Sequence, residues 1–392
     1  MAMKIVALTD TYEPQKNGVA VYLRNSLEYL AKKNKVVLLA PGTGKFRKEE
    51  KYGIEIIWLP SVEFPFYKGY LMARMIYPNI KKIIKSQFPD VVHAHAPVLM
   101  ALQGFIAAKR AGIPTVITYH THLPEYFPHL LKGMLPGFLG DLSKHPVKYL
   151  IKKVYSQADI VTAPTKELVN ELTGYGLKNV IYLPNGVDIS KFKKRKTSLR
   201  EKYGIPRKAI VILYAGRVSF EKKLGILLEA FKKIEKTNRY LIIAGSGPYL
   251  EKYRKTATEL RIKNIVFTGP IEDNEFQETY SAADIFATPS DTETFGLTII
   301  EAMAAGLPVI AVSKLGPKEL VNDGKDGFLV DKEDITGFSG KLELLATDSR
   351  IRKKMGKNAL KQASRFSLEH AVRETMRIYQ MAIANAKKKR CP

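Results

Sequence analysis

The sequence predicts an α/β fold of two domains, each built on a parallel sheet, and three observations support this prediction. The chain has 392 residues, which is too long for one hydrophobic core and suits two domains of ordinary size. Short runs rich in β-branched residues alternate with longer amphipathic segments, and this alternation is typical of βαβ units. The alternation stops at residue 183 and restarts at residue 210, so a second sheet begins in the second half of the chain.

The first half of the chain contains the strands of the first sheet. These strands are predicted at residues 4–8, 35–40, 54–59, 91–94, 115–119, 160–163 and 180–183. Helical patterns fall between most of them. Because ligands of open α/β sheets bind beyond the carboxyl ends of the strands, the residues directly after each run are candidates for a functional site.

A polar turn separates the two halves. The turn runs from Pro184 to Asp188 and is followed by basic polar sequence as far as Pro206, which predicts a domain boundary. Beyond it, strands are predicted at residues 210–215, 240–244, 265–268, 284–288, 308–312 and 328–330. We expect an N-terminal domain of residues 1–188, a C-terminal domain of residues 189–365 and an amphipathic helix at residues 366–389.

The composition is typical of a soluble globular protein, with 45% hydrophobic and 26% charged residues. The single cysteine, Cys391, excludes an internal disulfide framework and fits a reducing compartment. The apolar run at residues 5–8 is too short for a signal-peptide core. No run approaches the roughly 20 apolar residues that a membrane span needs. These features predict a cytoplasmic protein.

The formal net charge of +25 predicts an anionic partner, which could be a membrane surface, a nucleic acid or a phosphorylated substrate. Part of the excess lies in basic runs at residues 191–196 and 387–390, where solvated linkers and tails are the commoner explanation. No nucleic-acid recognition module is visible, so we expect no specific nucleic-acid partner. A basic nucleic-acid-binding protein remains the alternative from a different functional class.

The stretch from Thr288 to Val312 combines the strongest local signals in the chain. It predicts a strand end, a polar turn with Glu293, an apolar helix with Glu301, and a new strand after Gly306 and Pro308. The spacing of the two glutamates places Glu301 about two turns along the helix. Two carboxylates beside a helix N-terminus suit a sugar nucleotide, since free amides attract its phosphates. The alternative is a pair of solvated glutamates.

The segment Glu293-Thr-Phe-Gly-Leu-Thr-Ile-Ile-Glu301 resembles the E-x7-E signature of retaining glycosyltransferases of family 4. Other motifs follow in the family's order, so the resemblance covers nearly the whole chain. It implies a GT-B fold, in which two Rossmann-like domains face each other across a cleft and the C-terminal helix returns to the first domain. It also implies a nucleotide-sugar donor, with UDP-glucose favoured over GDP-mannose, and no cofactor or protein-bound metal.

A cation pair follows the first strand of the second half, in Gly216-Arg217-Val-Ser-Phe-Glu-Lys222-Lys223. Arginine offers a planar fork and lysine a mobile point charge, so Arg217 and Lys222 could clamp a diphosphate. The alternative is two surface bases in a lysine-rich protein. The loop resembles the family's G-R-x-x-x-E-K motif, although Lys223 stands where the family usually has glycine.

The resemblance assigns the remaining donor residues. It implies that Glu293 holds hydroxyls of the transferred sugar, that Glu301 holds the ribose and that His120 contacts a sugar hydroxyl. The catalytic candidates are therefore His120, Arg217, Lys222 and Glu293. The donor-binding candidates are Gly18, Gly216, Ile271, Thr294, Phe295, Gly296, Leu297 and Glu301.

Two His-x-His pairs follow neighbouring predicted strands, at His93 and His95 and at His120 and His122. Alternate residues of a strand point to the same side, so the four imidazoles could form a metal cluster. No cysteine or nearby carboxylate completes such a set, and we expect no metal site.

The segment at residues 123–155 predicts the acceptor side. Val147, Leu150, Ile151 and Val154 recur at helical spacing, while Lys144, Lys148 and Lys152 line an adjacent face. Such a helix can lie on an anionic membrane or simply pack against the sheet. The segment from His120 to Tyr126 resembles the sequence of lipid glycosyltransferases such as diacylglycerol glucosyltransferase and phosphatidylinositol mannosyltransferase, and Phe127 begins the apolar loop that follows.

That resemblance implies a lipid acceptor and peripheral attachment to the inner face of the cell membrane. A soluble glycan or a small metabolite is the alternative acceptor. The pattern indicates no particular oligomeric state.

Overall fold

The computed structural model describes residues 2–15, 17–63, 71–73, 76–122, 124, 144–234 and 238–388. It divides into two compact units, each with its own sheet. The N-terminal unit consists of Met1–Gly186 and Leu368–Pro392, and the C-terminal unit is Val187–Ser367. The break between the units therefore falls within the polar turn at residues 184–188.

The N-terminal unit contains a sheet with the strand order β3-β4-β2-β1-β6-β7-β8-β9, and β5 pairs with β4. Most neighbouring strands are parallel, whereas β3 and β5 run antiparallel to β4. The strands are β1 Lys4–Thr9, β2 Lys35–Gly42, β3 Arg47–Lys51, β4 Ile54–Glu63, β5 Leu71–Ala73, β6 Val91–His95, β7 Thr115–Thr118, β8 Ile160–Ala163 and β9 Val180–Tyr182.

The seven predicted strands of this unit are confirmed, but β3 and β5 were not predicted. Strand β3 has the sequence Arg-Lys-Glu-Glu-Lys, which carries no apolar alternation. Its partners come from β4: Lys48 pairs with Glu55 at 2.9 Å, and Glu49 accepts a hydrogen bond from the indole of Trp58 at 2.9 Å. Cross-strand pairs of this kind stabilise a strand that local propensity does not favour.

Helices cover both faces of this sheet. They are α1 Gly18–Ala31, α2 Ile80–Ser86, α3 Met100–Arg110, α4 Lys144–Tyr155, α5 Lys166–Gly174 and the C-terminal α14 Leu368–Lys388. The inner face of α14 supplies Val372, Ile378 and Tyr379 to the hydrophobic core that also contains Ile5 and Leu23. The last long helix of the chain is thus an integral part of the N-terminal unit.

The C-terminal unit contains an all-parallel sheet with the strand order β12-β11-β10-β13-β14-β15. The strands are β10 Ile210–Ala215, β11 Arg239–Ala244, β12 Ile265–Gly269, β13 Ile285–Thr288, β14 Val309–Val312 and β15 Gly327–Val330. The helices are α6 Leu199–Lys202, α7 Leu224–Lys233, α8 Leu250–Glu259, α9 Asp273–Ala282, α10 Leu297–Ala304, α11 Leu315–Leu320, α12 Ile335–Thr347 and α13 Ser349–Ala363. The predicted strands of this half are confirmed.

The topology brings three loops of the C-terminal unit to one sheet edge. Strand β13 pairs in parallel with β10 on one side and with β14 on the other. The loops that follow these three strands therefore leave the sheet side by side at its carboxyl edge. Within the described ranges, no helix combines the length and the apolar character needed to cross a bilayer.

Candidate functional site

The loop between β13 and α10 contains Glu293 and is held in place by aromatic packing and a backbone hydrogen bond. Phe295 is 2% exposed, and its ring meets Phe366 edge-on with 5.9 Å between centroids. The backbone amide of Gly316 donates to the carbonyl of Glu293 at 3.0 Å. A Cβ atom at residue 316 would lie 1.9 Å from the carbonyl oxygen of Phe295, so only glycine permits this approach. Gly316 was not among the predicted site residues.

Helix α10 begins at Leu297, later than the sequence pattern indicated. Glu301 is its fifth residue and lies about one turn along the helix, so the predicted position about two turns along the helix was wrong. Gly296 is the N-cap, and glycine has no side chain with which to cap the helix. Thr294 and Leu297 are half-buried on either side of it. An N-terminus that lacks a side-chain cap suits a phosphate, because its amides point along the helix axis toward the anion.

The loop after β10 carries the predicted cation clamp. Tyr214 is buried beneath it, and its hydroxyl donates to the carbonyl of Arg217 at 2.8 Å. The neighbouring Gly245-Ser-Gly247 turn packs directly against the loop. A Cβ atom at residue 245 would lie 2.2 Å from the carbonyl oxygen of Gly216. The glycines after β11 therefore let two loops touch.

Lys222 and Glu293 meet across these loops. The Lys222 Nζ lies 2.5 Å from the Glu293 Oε1, and both side chains are 19% exposed. Arg217 is half-buried on the same loop as Lys222. The Lys222 cation therefore lies next to Glu293, the carboxylate that the resemblance assigns to hydroxyls of the transferred sugar.

Lys223 is directed elsewhere. Its backbone is left-handed, with φ of 51°, which explains why glycine suits this position. Its Nζ lies 2.9 Å from Asp291 and 3.0 Å from Glu333. Of the two adjacent lysines, Lys222 is thus the one that pairs with Glu293, while Lys223 ties the loop to two other segments.

Glu301 is 6% exposed and accepts a hydrogen bond from the hydroxyl of Tyr280 at 2.5 Å. Burial raises the pKa of Glu301 to about 7, and the bond from Tyr280 opposes that rise. Tyr280 is itself held among aromatic rings, including Phe192 and Phe286. Tyr280 was not among the predicted site residues. It lies on α9, 21 residues before its partner Glu301, so no local pattern links the two residues.

Ile271 follows β12 and is half-buried, with its side chain packed against the core of the C-terminal unit. Gly18 belongs to the N-terminal unit, where it is the exposed first residue of α1. The side chain of Asn17 caps this helix by accepting from the amide of Ala20 at 3.0 Å. Asn17 also donates to the hydroxyl of Thr11 at 2.7 Å.

His120 lies in the N-terminal unit and belongs to a buried chain of imidazoles. Its Nε2 is 2.9 Å from the Nδ1 of His95, whose ring lies against that of His93 with 3.8 Å between centroids and a tilt of 37° between the planes. His93 bonds to the hydroxyls of Tyr379 at 2.8 Å and Thr118 at 2.7 Å. Burial lowers the pKa of His93 and of His120 to about 3, so both rings are neutral at pH 7.

His122 turns away from this chain and bonds to the carboxylate of Glu171 at 2.8 Å. The four imidazoles of the two His-x-His pairs therefore do not converge. No group of three or more His, Cys, Asp or Glu side chains is placed to hold a metal ion in the part of the chain that the structure describes.

Helix α4 has one buried and one exposed face. Val147, Ile151 and Tyr155 are buried, whereas Tyr149 is 66% and Leu150 is 55% exposed. Of the four apolar residues predicted at helical spacing, Leu150 alone lies on the exposed face, because the buried stripe recurs every four residues and leaves residue 150 outside it.

Lysines flank the exposed face of α4. Lys152 is exposed, and the Nζ of Lys148 lies over the ring of Tyr175 at 5.5 Å. The backbone of Lys144 begins the helix. Tyr126 and Phe127 lie outside the described residues.

The C-terminal unit thus brings together most of the predicted donor site. Arg217, Lys222 and Glu293 lie on the adjacent loops after β10 and β13, and Glu301 lies on the helix that follows. Ile271 belongs to the same unit, after β12, while Gly18 and His120 belong to the N-terminal unit.

Comparisons with known proteins extend over both units. Residues 16–191 match the family described as Glycosyltransferase Family 4, and residues 195–362 match Glycosyl transferases group 1. The chain is 32% identical to the alpha-monoglucosyldiacylglycerol synthase of Streptococcus pneumoniae, over 86% of this chain and 77% of that protein. It is 30% identical to the sulfoquinovosyl transferase SQD2 of Arabidopsis thaliana, over 89% and 68% of the two chains.

Solved structures share the fold. Anabaena HepE in complex with UDP and glucose matches with a TM-score of 0.77 at 22% identity, over 96% of this chain and 99% of that one. The sucrose-phosphate synthase of Thermosynechococcus elongatus matches with the same score at 19% identity, over 97% and 99% of the two chains. These likenesses confirm the predicted GT-B fold class.

Proposed function

The chain belongs to glycosyltransferase family 4 and uses a nucleotide-sugar donor, and from this premise we propose that it transfers glucose from UDP-glucose to a membrane lipid such as diacylglycerol. The observation that carries the proposal is the pairing of Lys222 with Glu293 beside the N-terminus of α10. It puts a cation, a carboxylate and the first amides of a helix within one small region. These three groups match the diphosphate and the hexose of the donor.

The donor fits the C-terminal unit as follows. Arg217, Lys222 and the first amides of α10 bind the diphosphate, while Glu301 accepts from the ribose hydroxyls. As Lys222 turns toward the phosphates, Glu293 is released from its ion pair and accepts from hydroxyls of the hexose. His120 is the proposed contact to a further sugar hydroxyl. No bound cofactor or metal takes part.

The proposed reaction retains the configuration of the sugar. The bond between the anomeric carbon and the diphosphate oxygen breaks, and its electrons remain on the diphosphate. The acceptor hydroxyl attacks the same face and gives its proton to a diphosphate oxygen. Charge on the leaving group grows as its bond breaks, so Arg217 and Lys222 stabilise the transition state more than the ground state.

UDP-glucose is favoured over GDP-mannose as the donor. The S. pneumoniae relative is named for a glucosyl lipid product, and a HepE structure contains UDP-glucose. The relative from Corynebacterium glutamicum, 27% identical over 85% of this chain, is named a GDP-mannose-dependent alpha-mannosyltransferase, which keeps that donor as the second candidate. Thermal stabilisation by a panel of UDP and GDP sugars identifies the base and the hexose together.

A lipid acceptor is favoured by the relatives and by helix α4. The exposed face of α4 presents Tyr149 and Leu150 together with Lys152. An apolar and basic surface of this kind suits an anionic bilayer, with the lysine over the head groups. We propose that the protein is cytoplasmic and attaches peripherally to the inner face of the cell membrane through this surface.

The test supplies radiolabelled UDP-glucose and vesicles of anionic phospholipid with or without diacylglycerol. We expect label in the lipid phase only when diacylglycerol is present, and we expect transfer to persist after treatment with EDTA. Label that stays in the aqueous phase with an added glycan or metabolite would favour the soluble acceptor. Loss of transfer in EDTA, restored by one divalent ion, would contradict the metal-independent mechanism.

A further inference from the structure

The imidazole chain of the N-terminal unit contains one nitrogen with an unusual environment. His95 is 3% exposed, and its Nδ1 lies 2.9 Å from the Nε2 of His120. The other ring nitrogen of His95, Nε2, is fully buried and has no hydrogen-bond partner among the residues that the structure describes. His95 thus makes one directional bond, and that bond ends on His120.

This arrangement selects one tautomer of His95. A neutral imidazole has one N–H donor and one acceptor nitrogen. If the proton of His95 were on Nε2, a buried N–H would lack an acceptor, which is costlier than leaving a lone pair unmatched. The favoured form therefore carries its proton on Nδ1.

That tautomer dictates the tautomer of His120. With a proton on its Nδ1, His95 donates to the Nε2 of His120, which must then be unprotonated. Since burial keeps His120 neutral at pH 7, its single proton is placed on Nδ1. The stack between these two rings, 5.2 Å between centroids with planes 20° apart, limits rotation of either ring.

We propose that His95 is a positioning residue that holds His120 with its proton on Nδ1, so that His120 presents a hydrogen-bond donor to the transferred sugar. This inference rests on the proposed function, in which His120 binds a sugar hydroxyl. The Nδ1–H group of His120 then donates to a hydroxyl oxygen of the sugar, and the orientation of the His120 ring is set before the substrate binds.

The tautomer can be read directly by NMR. The chain has seven histidines, so protein labelled with ¹⁵N only in histidine gives a simple spectrum, and the His120→Gln variant assigns His120. In the wild type without substrate we expect a protonated, pyrrole-type Nδ1 and an unprotonated, pyridine-type Nε2 for His120. The reverse pattern would overturn the proposal.

Two variants of His95 separate its hydrogen bond from its bulk. The amide nitrogen of His95→Asn occupies the place of Nδ1 and can still donate, whereas His95→Phe keeps an aromatic ring but cannot. We expect His95→Phe to shift His120 toward the Nε2-protonated form and to lower kcat about tenfold, the effect of one hydrogen bond. His95→Asn should retain the wild-type tautomer and most of kcat, with the KM for the donor unchanged in both.

His93→Phe is the matched control, because His93 is equally buried and its ring lies against that of His95, while its two ring nitrogens bond to Tyr379 and Thr118. It should leave the tautomer of His120 unchanged. If His95→Phe keeps the wild-type tautomer in a protein that still transfers hexose, the positioning role is refuted. If the tautomers behave as expected but the wild type transfers no hexose from any nucleotide sugar, the proposed function fails instead.

Discussion

The carboxyl edges of the two sheets carry polar groups of opposite kinds. In the N-terminal unit, His93, His95 and His120 are at most 4% exposed and are bonded to one another or to hydroxyls. In the C-terminal unit, Lys222 and Glu293 are ionic partners, and each side chain is 19% exposed. The edge in the N-terminal unit holds neutral groups in the core, whereas the edge in the C-terminal unit holds charged groups that solvent can reach.

The difference follows from what burial costs. A buried ion without a partner is very costly, whereas a neutral imidazole costs much less to bury. A site that must receive a charged diphosphate therefore keeps its charges in loops that water can reach. A site that only directs a hydroxyl can be built into the core of its unit.

The largest expected effect tests the charged edge. Replacing Lys222 with alanine removes a cation that stabilises the leaving diphosphate, so we expect kcat to fall by about 10² to 10³. The adjacent Lys223→Ala variant is the control, because Lys223 pairs with Asp291 and Glu333. It should lose less than about tenfold in the same hexose-transfer assay. Equal losses in the two variants would show that the loop contributes through its fold and not through the Lys222 charge.

The next prediction concerns the buried histidines of the N-terminal unit and the effect of lowering the pH on its stability. The pKa values of His93 and His120 lie near 3 in the folded unit, below the ordinary value of 6.5. As pH falls from 6.5 toward 3, the unfolded chain binds protons that the folded unit does not. The N-terminal unit should therefore lose stability through this window, by on the order of 1 kcal/mol per histidine for the first pH unit.

Hydrogen exchange followed by mass spectrometry, corrected for the intrinsic rate, measures this loss in peptides of the N-terminal unit. The His93→Phe variant should lose less on acidification than the wild type. The C-terminal unit provides the contrast, because the raised pKa of Glu301 makes its protonated form the favoured one in the fold. The contribution of Glu301 to stability grows as pH falls from 7 toward 4.5. A wild-type N-terminal unit that is equally protected at pH 7 and pH 5 would contradict the prediction.

A smaller effect concerns nucleotide affinity. Only the ionised carboxylate of Glu301 offers acceptors to both ribose hydroxyls, and its pKa is about 7. UDP affinity should therefore rise about tenfold from one pH unit below this pKa to one unit above it. Calorimetric titration measures the change, and Glu301→Gln should flatten it. A wild-type profile as flat as that of the variant would exclude Glu301 as the group that titrates.

The smallest expected effect concerns the exposed face of α4. Lys152→Glu should weaken binding to anionic vesicles several-fold, since each basic residue near such a surface contributes about 1 kcal/mol. Lys255→Glu makes the same charge change on the C-terminal unit, where Lys255 is 80% exposed on α8. Co-sedimentation with vesicles compares the two variants. If both lose the same affinity, net charge and not the α4 face accounts for binding.

Much of the site was predictable because its signals are local. The C-terminal end of α10 follows from Gly306, and the loops with Arg217 and Glu293 follow from the ends of apolar runs, whereas the start of α10 at Leu297 was not predicted. The contacts that complete these loops were not predictable. Tyr280 reaches Glu301 across 21 residues, and Gly316 reaches the carbonyl of Glu293 across 23.

The sequence by itself determined the strands that carry apolar runs, the break at residues 184–188 and the chemical types of the donor residues, because periodicity, glycines and prolines act within a few residues. Only the tertiary structure decided which of Lys222 and Lys223 meets Glu293, that the charged segment Arg47–Lys51 pairs as a strand, and that His95 bonds to His120. These contacts join residues that are distant in the sequence and become neighbours only through sheet pairing. A local sequence pattern does not show which distant side chain will be the partner.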